Sequence, residues 1–156
     1  KTAVRIGHTI RLNFIIGFPH ETFMDCLRTI FFAYRCAILY GVSDINFAIF
    51  APYPGSELFT KLEEQNKVAI DDSYIKRLLV QFDLTKSFSY CDNVPGKALM
   101  ILRFLGFAGS YVLIYLSRPK KIFSLIINIF RKKFTANSLI EQRIYDMIVR
   151  SKLKSK

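Results

Sequence analysis

Leu12 to Thr22 reads LNFIIGFPHET, an apolar run that meets a glycine and a proline and then opens into a helical pattern. Leu12, Phe14 and Ile16 alternate with Asn13 and Ile15, and so nearly continuous an apolar run predicts a strand buried on both faces, as in a parallel sheet. Thr22, with Asp25 three residues on, forms an approximate capping box in which a short carboxylate stands where Glu or Gln is usual, and its charge suits the helix dipole. From there Leu27, Ile30, Phe31, Tyr34 and Ile38 recur at helical spacing, predicting a core-facing stripe, and Gly41 is placed to end the helix. The stretch is a strand-to-helix mouth. In parallel α/β proteins ligands gather at the carboxyl ends of strands, so chemistry is expected near Gly17.

One helix later comes a second stretch, INFAIFAPYPGSELF, from Ile45 to Phe59. Ile45 to Ala51 is the next strand, and the span between the two suits a right-handed βαβ unit. Pro52 and Pro54 forbid further ladder donation. Gly55 and Ser56 turn the chain, and Ser56 caps a short helix through Glu57, Leu58, Leu62 and Gln65. Two strands and one crossover cannot bury both faces of a sheet, so residues 1–66 call for the missing strands of a larger barrel. Upstream, Thr2 to His8 suits the last turns of a helix. With no initiator Met and no signal-peptide pattern, the chain reads as an internal fragment of a longer protein or a truncated sequence of it.

Phe-Pro-x-Glu-Thr in the first stretch and Pro-Tyr-Pro-Gly-Ser-Glu-Leu in the second together resemble the last strands of the partial barrel of radical S-adenosylmethionine (SAM) enzymes. The resemblance is to the cobalamin-binding branch, which includes the anaerobic magnesium-protoporphyrin monomethyl ester cyclases, and it covers roughly residues 1–75. It implies an α/β fold, with the closing βαβ strands of a partial (β/α)6 barrel followed by an α-helical C-terminal tail. It also implies reductive cleavage of SAM by a 4Fe-4S cluster, with cobalamin as a further cofactor and radical cyclisation or methylation as the outcome. The cluster signature Cys-x3-Cys-x2-Cys is absent from this sequence. The cluster, the N-terminal barrel and the cobalamin domain are therefore expected upstream of Lys1, and this piece alone is expected to be inactive. By the same resemblance Asn13, Ile15 and Gly17 on the first strand, and Phe50, Ala51 and Pro52 on the second, would wall the SAM pocket. Asn13 stands where some relatives carry an acid, and His20 stands where Gly is commoner. Glu21 is expected to bond backbone amides at the helix start, as a structural cap.

Residues 67–97 show no sustained period and are expected to be loops, or an extended pair, linking barrel to tail. Adjacent Asp71 and Asp72 suit a solvated helix cap better than a catalytic pair. Residues 98–156 form the helical tail. Ala98 to Leu116 is an apolar run broken by Arg103, and at 1.5 Å per residue it would extend about 28 Å, close to the thickness of a hydrocarbon core. Lys120 to Lys133 has an apolar centre between basic ends and suits a helix lying at a membrane interface. Ser138 to Arg150 has a third helical period.

The net charge of +11 is unevenly placed: residues 98–156 hold twelve basic and two acidic side chains, while the rest is nearly balanced. Basic charge beside apolar helices favours an anionic membrane surface, engaged through 98–133, over nucleic acid, for which no stacking platform or recognised motif is present. Cys26, Cys36 and Cys91 have no metal-ligand spacing and read as buried thiols of a reduced, cytoplasmic protein. Its two apolar helices either pack on each other and on the missing part of the enzyme, attach peripherally at the inner membrane face, or span the membrane, Arg103 counting against the last. The competing reading is a non-enzymatic, membrane-attached helical protein whose N-terminal half merely resembles a barrel.

Overall fold

The computed structural model describes residues 2–6, 8–80 and 88–118. The expected segments Lys120–Lys133 and Ser138–Arg150 lie outside the described residues. In chain order the elements are α1 (Thr2–Arg5), β1 (Arg11–Ile16), α2 (Phe23–Leu39), β2 (Asp44–Ile49), α3 (Glu57–Glu64), α4 (Asp72–Val80) and α5 (Gly96–Ser117). The fold is mixed α/β. β1 and β2 pair with each other, and they run parallel: the Ser43 amide donates to the Ile10 carbonyl at 2.9 Å and, further along both strands, the Phe50 amide donates to the Ile16 carbonyl at 2.8 Å. Parallel neighbours need a crossover, and α2 supplies it.

Helix α2 begins where its capping chemistry says it should. The Thr22 amide and hydroxyl both donate to Asp25 Oδ2, at 3.0 and 2.6 Å, while the Asp25 amide donates to Thr22 Oγ1 at 3.3 Å. Those bonds hold the Asp25 carboxyl below the usual carboxylate range. At the far end Gly41 adopts φ +74°, the left-handed geometry that stops a helix with little strain only in glycine.

Two expectations about burial need correction. β1 is not buried on both faces: Arg11, Asn13 and Ile15 are exposed, whereas Leu12 and Phe14 are half-buried and Ile16 is buried. The strand is covered on one side only, so the pleat sorts its side chains by parity. On the covered side Phe14 stacks on Phe47 of β2 with ring centroids 5.5 Å apart and meets Phe32 of α2 edge-on at 6.1 Å; the Phe47 ring in turn packs against Gly106 of α5. The inward stripe of α2 is also rotated from the expected one. Cys26, Ile30, Ala33, Cys36 and Ala37 are buried, while Phe31 and Ile38 are exposed. Small side chains face inward because they let the helix approach closely; hydrophobicity alone does not distinguish them from the bulkier stripe beside them.

A third difference is α4, which occupies part of the stretch expected to be loop. Asp71 makes it: its Oδ1 accepts from the Tyr74 amide and from the Ser73 hydroxyl, both at 2.7 Å. The helix is nine residues long, too short for a helical period to repeat more than about twice, so periodicity alone does not reveal it. Helix α3 starts at Ser56, whose hydroxyl accepts from the Phe59 amide at 3.2 Å.

The described residues divide into two compact units, one from 2–6, 8–12, 34–45 and 109–118, the other from 13–33, 46–80 and 88–108. In the first, buried Asp44 is satisfied by Arg11 Nε at 3.4 Å and by the Tyr111 hydroxyl, and Arg118 donates to the Val42 carbonyl at 3.0 Å. In the second, Phe50, Phe59, Leu62, Val68, Tyr74 and Tyr90 form an apolar cluster joined by Phe18, Leu58 and Leu78.

Candidate functional site

All six expected pocket residues fall within the second unit. Asn13 and Ile15 project from the uncovered side of β1, and Ile15 keeps 47% of its surface open, a large apolar side chain left bare on a strand. Asn46 and Ala48 of β2 are half-buried. Because the Phe50 amide bonds the Ile16 carbonyl, Gly17 and the segment Phe50–Pro52 leave the sheet at the same end. That end is the carboxyl edge, where a parallel sheet offers free loop backbone.

The two exits are built differently. At the first, Gly17 sits at φ +85°, and a Cβ there would lie 2.7 Å from Leu99 Cδ1. Glycine is required by the backbone conformation, and a Cβ would in addition push on the methyl ends of Leu99 of α5. Glu21 then folds back over the turn: its Oε2 accepts from the Gly17 amide at 2.6 Å and from the Phe18 amide at 3.1 Å. These are amides of the strand exit, not of the helix start where the sequence places its role. One carboxylate thereby satisfies two successive backbone donors that the sheet leaves over.

A strap from the chain before α5 holds this turn from outside. The Cys91 thiol and the Asn93 amide nitrogen both donate to the Glu21 carbonyl, at 3.1 and 3.2 Å, and the Asp92 amide donates to the Pro19 carbonyl at 3.1 Å. Lys67 anchors the strap through Asp92 at 2.6 Å. Sequence reasoning misses the strap because its contacts join residues about 70 apart through side chains of no distinctive type. The Cys26 thiol also points at Glu21 Oε2, at 3.5 Å. Burial, with the neighbouring carboxylate adding to it, pushes that thiol up to about 11, so at neutral pH it is protonated and a poor nucleophile or metal ligand.

At the second exit the side chain of Phe50 is part of the apolar cluster and lies against Phe18, ring centroids 4.7 Å apart. Ala51 is half-buried and Pro52 buried. The Pro52 carbonyl accepts from the buried Tyr74 hydroxyl at 2.7 Å. Beyond it Tyr53, Pro54 and Gly55 are exposed.

Of the remaining candidates, His20 is exposed on the turn, and Asp71 is the cap of α4, held below the ordinary carboxylate range by the Ser73 hydroxyl and the Tyr74 amide. Cys26, Cys36 and Cys91 are free and buried. Among the described residues no group of three or more His, Cys, Asp or Glu side chains could hold a metal ion, so these residues do not fit an iron-sulfur cluster. The chain matches no protein-family model, and no curated protein and no solved structure resembles it at a significant level.

Proposed function

We propose that this chain supplies the closing strands of a partial barrel in a radical SAM enzyme, and that the open side of β1, with the loops at the carboxyl edge, forms part of the wall on which the adenosyl group rests. The observation that carries the reading is the parallel pairing of the two motif-bearing strands, whose Gly-Phe-Pro and Ala-Pro-Tyr-Pro loops leave the sheet at one edge. A barrel strand of this kind has helices on one side and the barrel interior on the other, and ligands are received where the interior opens at the carboxyl ends of the strands. A half-exposed Ile15 beside Asn13 suits such an interior better than it suits water.

The residues divide by what is free to touch a ligand. Ile15 offers an apolar face to a flat purine, and the Asn13 amide both donates and accepts. Ala51 is half-buried at the rim. Gly17, Phe50 and Pro52 act differently: the Gly17 amide is committed to Glu21, the Phe50 ring to the core and the Pro52 carbonyl to Tyr74, so their part is to fix the path of the loops. SAM, when bound and reduced by a cluster held elsewhere in the protein, supplies the radical hydrogen abstraction used for cyclisation or methylation. A cobalamin domain would likewise lie outside these residues. Binding and orientation of the adenosyl group are the tasks of this chain.

The reading frame ahead of Lys1 tests the assignment directly: a Cys-x3-Cys-x2-Cys segment is expected, and a frame that starts close upstream without it overturns the proposal. In the full-length protein, Ile15→Glu is expected to weaken retention of labelled SAM in equilibrium dialysis by about tenfold or more, the effect of setting a carboxylate against an apolar contact. Unchanged retention would remove Ile15 from the wall.

A further inference from the structure

Helix α5 is apolar on both its buried and its exposed side, Leu99, Leu102 and Ile114 facing inward. It runs 22 residues without a break, and its buried side includes its one charged residue between Ala98 and Leu116, Arg103, only 4% exposed, together with fully buried Ser110. Its outer side is apolar along most of its length. Ile101, Phe104, Val112 and Leu116 are all more than half exposed, Phe104 at 66% and Leu116 at 70%, and at 100° per residue they fall on one stripe with Ala108 between them. A helix facing water carries polar side chains on its outer side, and this one carries apolar ones there. An apolar outer side with the ionisable residue turned toward the protein is the arrangement of a helix facing hydrocarbon.

From this stripe we infer that α5 is a membrane-contact helix, its outer side resting on an anionic phospholipid surface. Charge selects the lipid. Lys97 is exposed in the first turn of the helix, Arg118, Lys120 and Lys121 follow its last residue, and residues 98–156 carry twelve basic against two acidic side chains. Basic residues flanking an apolar helix contribute about 1 kcal/mol each near an anionic bilayer, and the apolar stripe adds the burial that makes attachment persist. A protein partner of the same shape would need a strongly acidic rim; phosphatidylglycerol or another acidic lipid supplies that charge across a whole surface. The inference is independent of the SAM assignment and stands or falls without it.

The chain contains no Trp, which makes a single reporter clean. Phe104→Trp on the stripe is expected to shift its emission to the blue when vesicles of phosphatidylcholine and phosphatidylglycerol in equal parts are added at low salt. Tyr53→Trp, at the exposed loop after β2, is expected to stay unchanged. The full chain should co-float with those vesicles and not with phosphatidylcholine alone. Phe104→Glu combined with Val112→Glu should lose about tenfold in partitioning with its far-ultraviolet circular dichroism intact, because both positions are exposed. No co-flotation at low salt overturns the inference. So does equal binding by the double variant, which would leave attachment to basic charge alone. A blue shift of Phe104→Trp that appears without lipid and tracks a rise in mass by light scattering also overturns it, by giving the stripe to a second copy of the chain.

Discussion

The two strand exits sit at one edge of one sheet, yet they are fixed by different means. The first, Gly17 to Thr22, is held by hydrogen bonds: one carboxylate takes two amides, and a strap takes two carbonyls of the same turn. The second, Ala51 to Ser56, is held largely by covalent geometry, since Pro52 and Pro54 set their own φ and lack amide donors; the Tyr74 hydroxyl donates to the Pro52 carbonyl from far along the chain, and the Ser56 amide and hydroxyl donate to the Tyr53 carbonyl within the loop. The comparison shows that a loop rich in proline has fewer polar groups to satisfy, while one built on glycine must satisfy them from outside. A bonded loop is therefore sensitive to its partners, and a proline loop to very few of them.

Stability variants, read by urea or thermal melts, put this difference to the test. The largest effect is expected from Glu21→Ala, which strands the Gly17 and Phe18 amides and removes two charge-assisted bonds: a loss of about 3 kcal/mol. If Glu21→Ala melts like the parent, water replaces the carboxylate freely and the contrast between the loops disappears. Next is Gly17→Ala, which combines a positive φ with a close approach to Leu99 and should cost about 2 kcal/mol; trimming Leu99 as well would relieve the contact but leave the backbone penalty. On the proline side Tyr74→Phe leaves the buried Pro52 carbonyl unpaired and should cost about 1.5 kcal/mol. A Tyr74→Phe loss above that of Glu21→Ala would reverse the ranking. The smallest is Ser56→Ala, which removes the α3 cap for about 1 kcal/mol.

How far the sequence discloses this molecule depends on whether the decisive contact is local. Thr22 with Asp25, Ser56 before Glu57, and Gly41 after Leu39 announce helix ends because each cap lies within a few residues of what it caps. The order strand, helix, strand is equally open to reading, since Phe14 and Phe47 lie in short apolar runs bounded by Gly and Pro. What the pattern hides is which side is covered. Leu12 to Ile16 is apolar enough for two buried faces, but only neighbouring elements decide that Ile15 stays bare. On α2 the bulkier stripe of Phe31 and Ile38 outweighs the Cys26, Ala33, Cys36 and Ala37 face in hydrophobicity, yet close packing favours the small one. Helix α4 hides because Asp71, rather than an apolar period, starts it. For the candidate site, the sequence marks Gly17 as special but discloses neither of its neighbours, Leu99 and the strap at Cys91 to Asn93, which arrive from far along the chain.

Glu21 has a consequence for what the mouth of β1 will admit. Two successive backbone N–H groups at a strand-to-helix turn are the usual seat of a phosphate oxyanion, and here a built-in carboxylate already occupies it. An incoming phosphate ester would meet negative charge where such a turn normally offers bare donors. The seat that a phosphate would take at this edge is therefore already filled by the chain's own carboxylate.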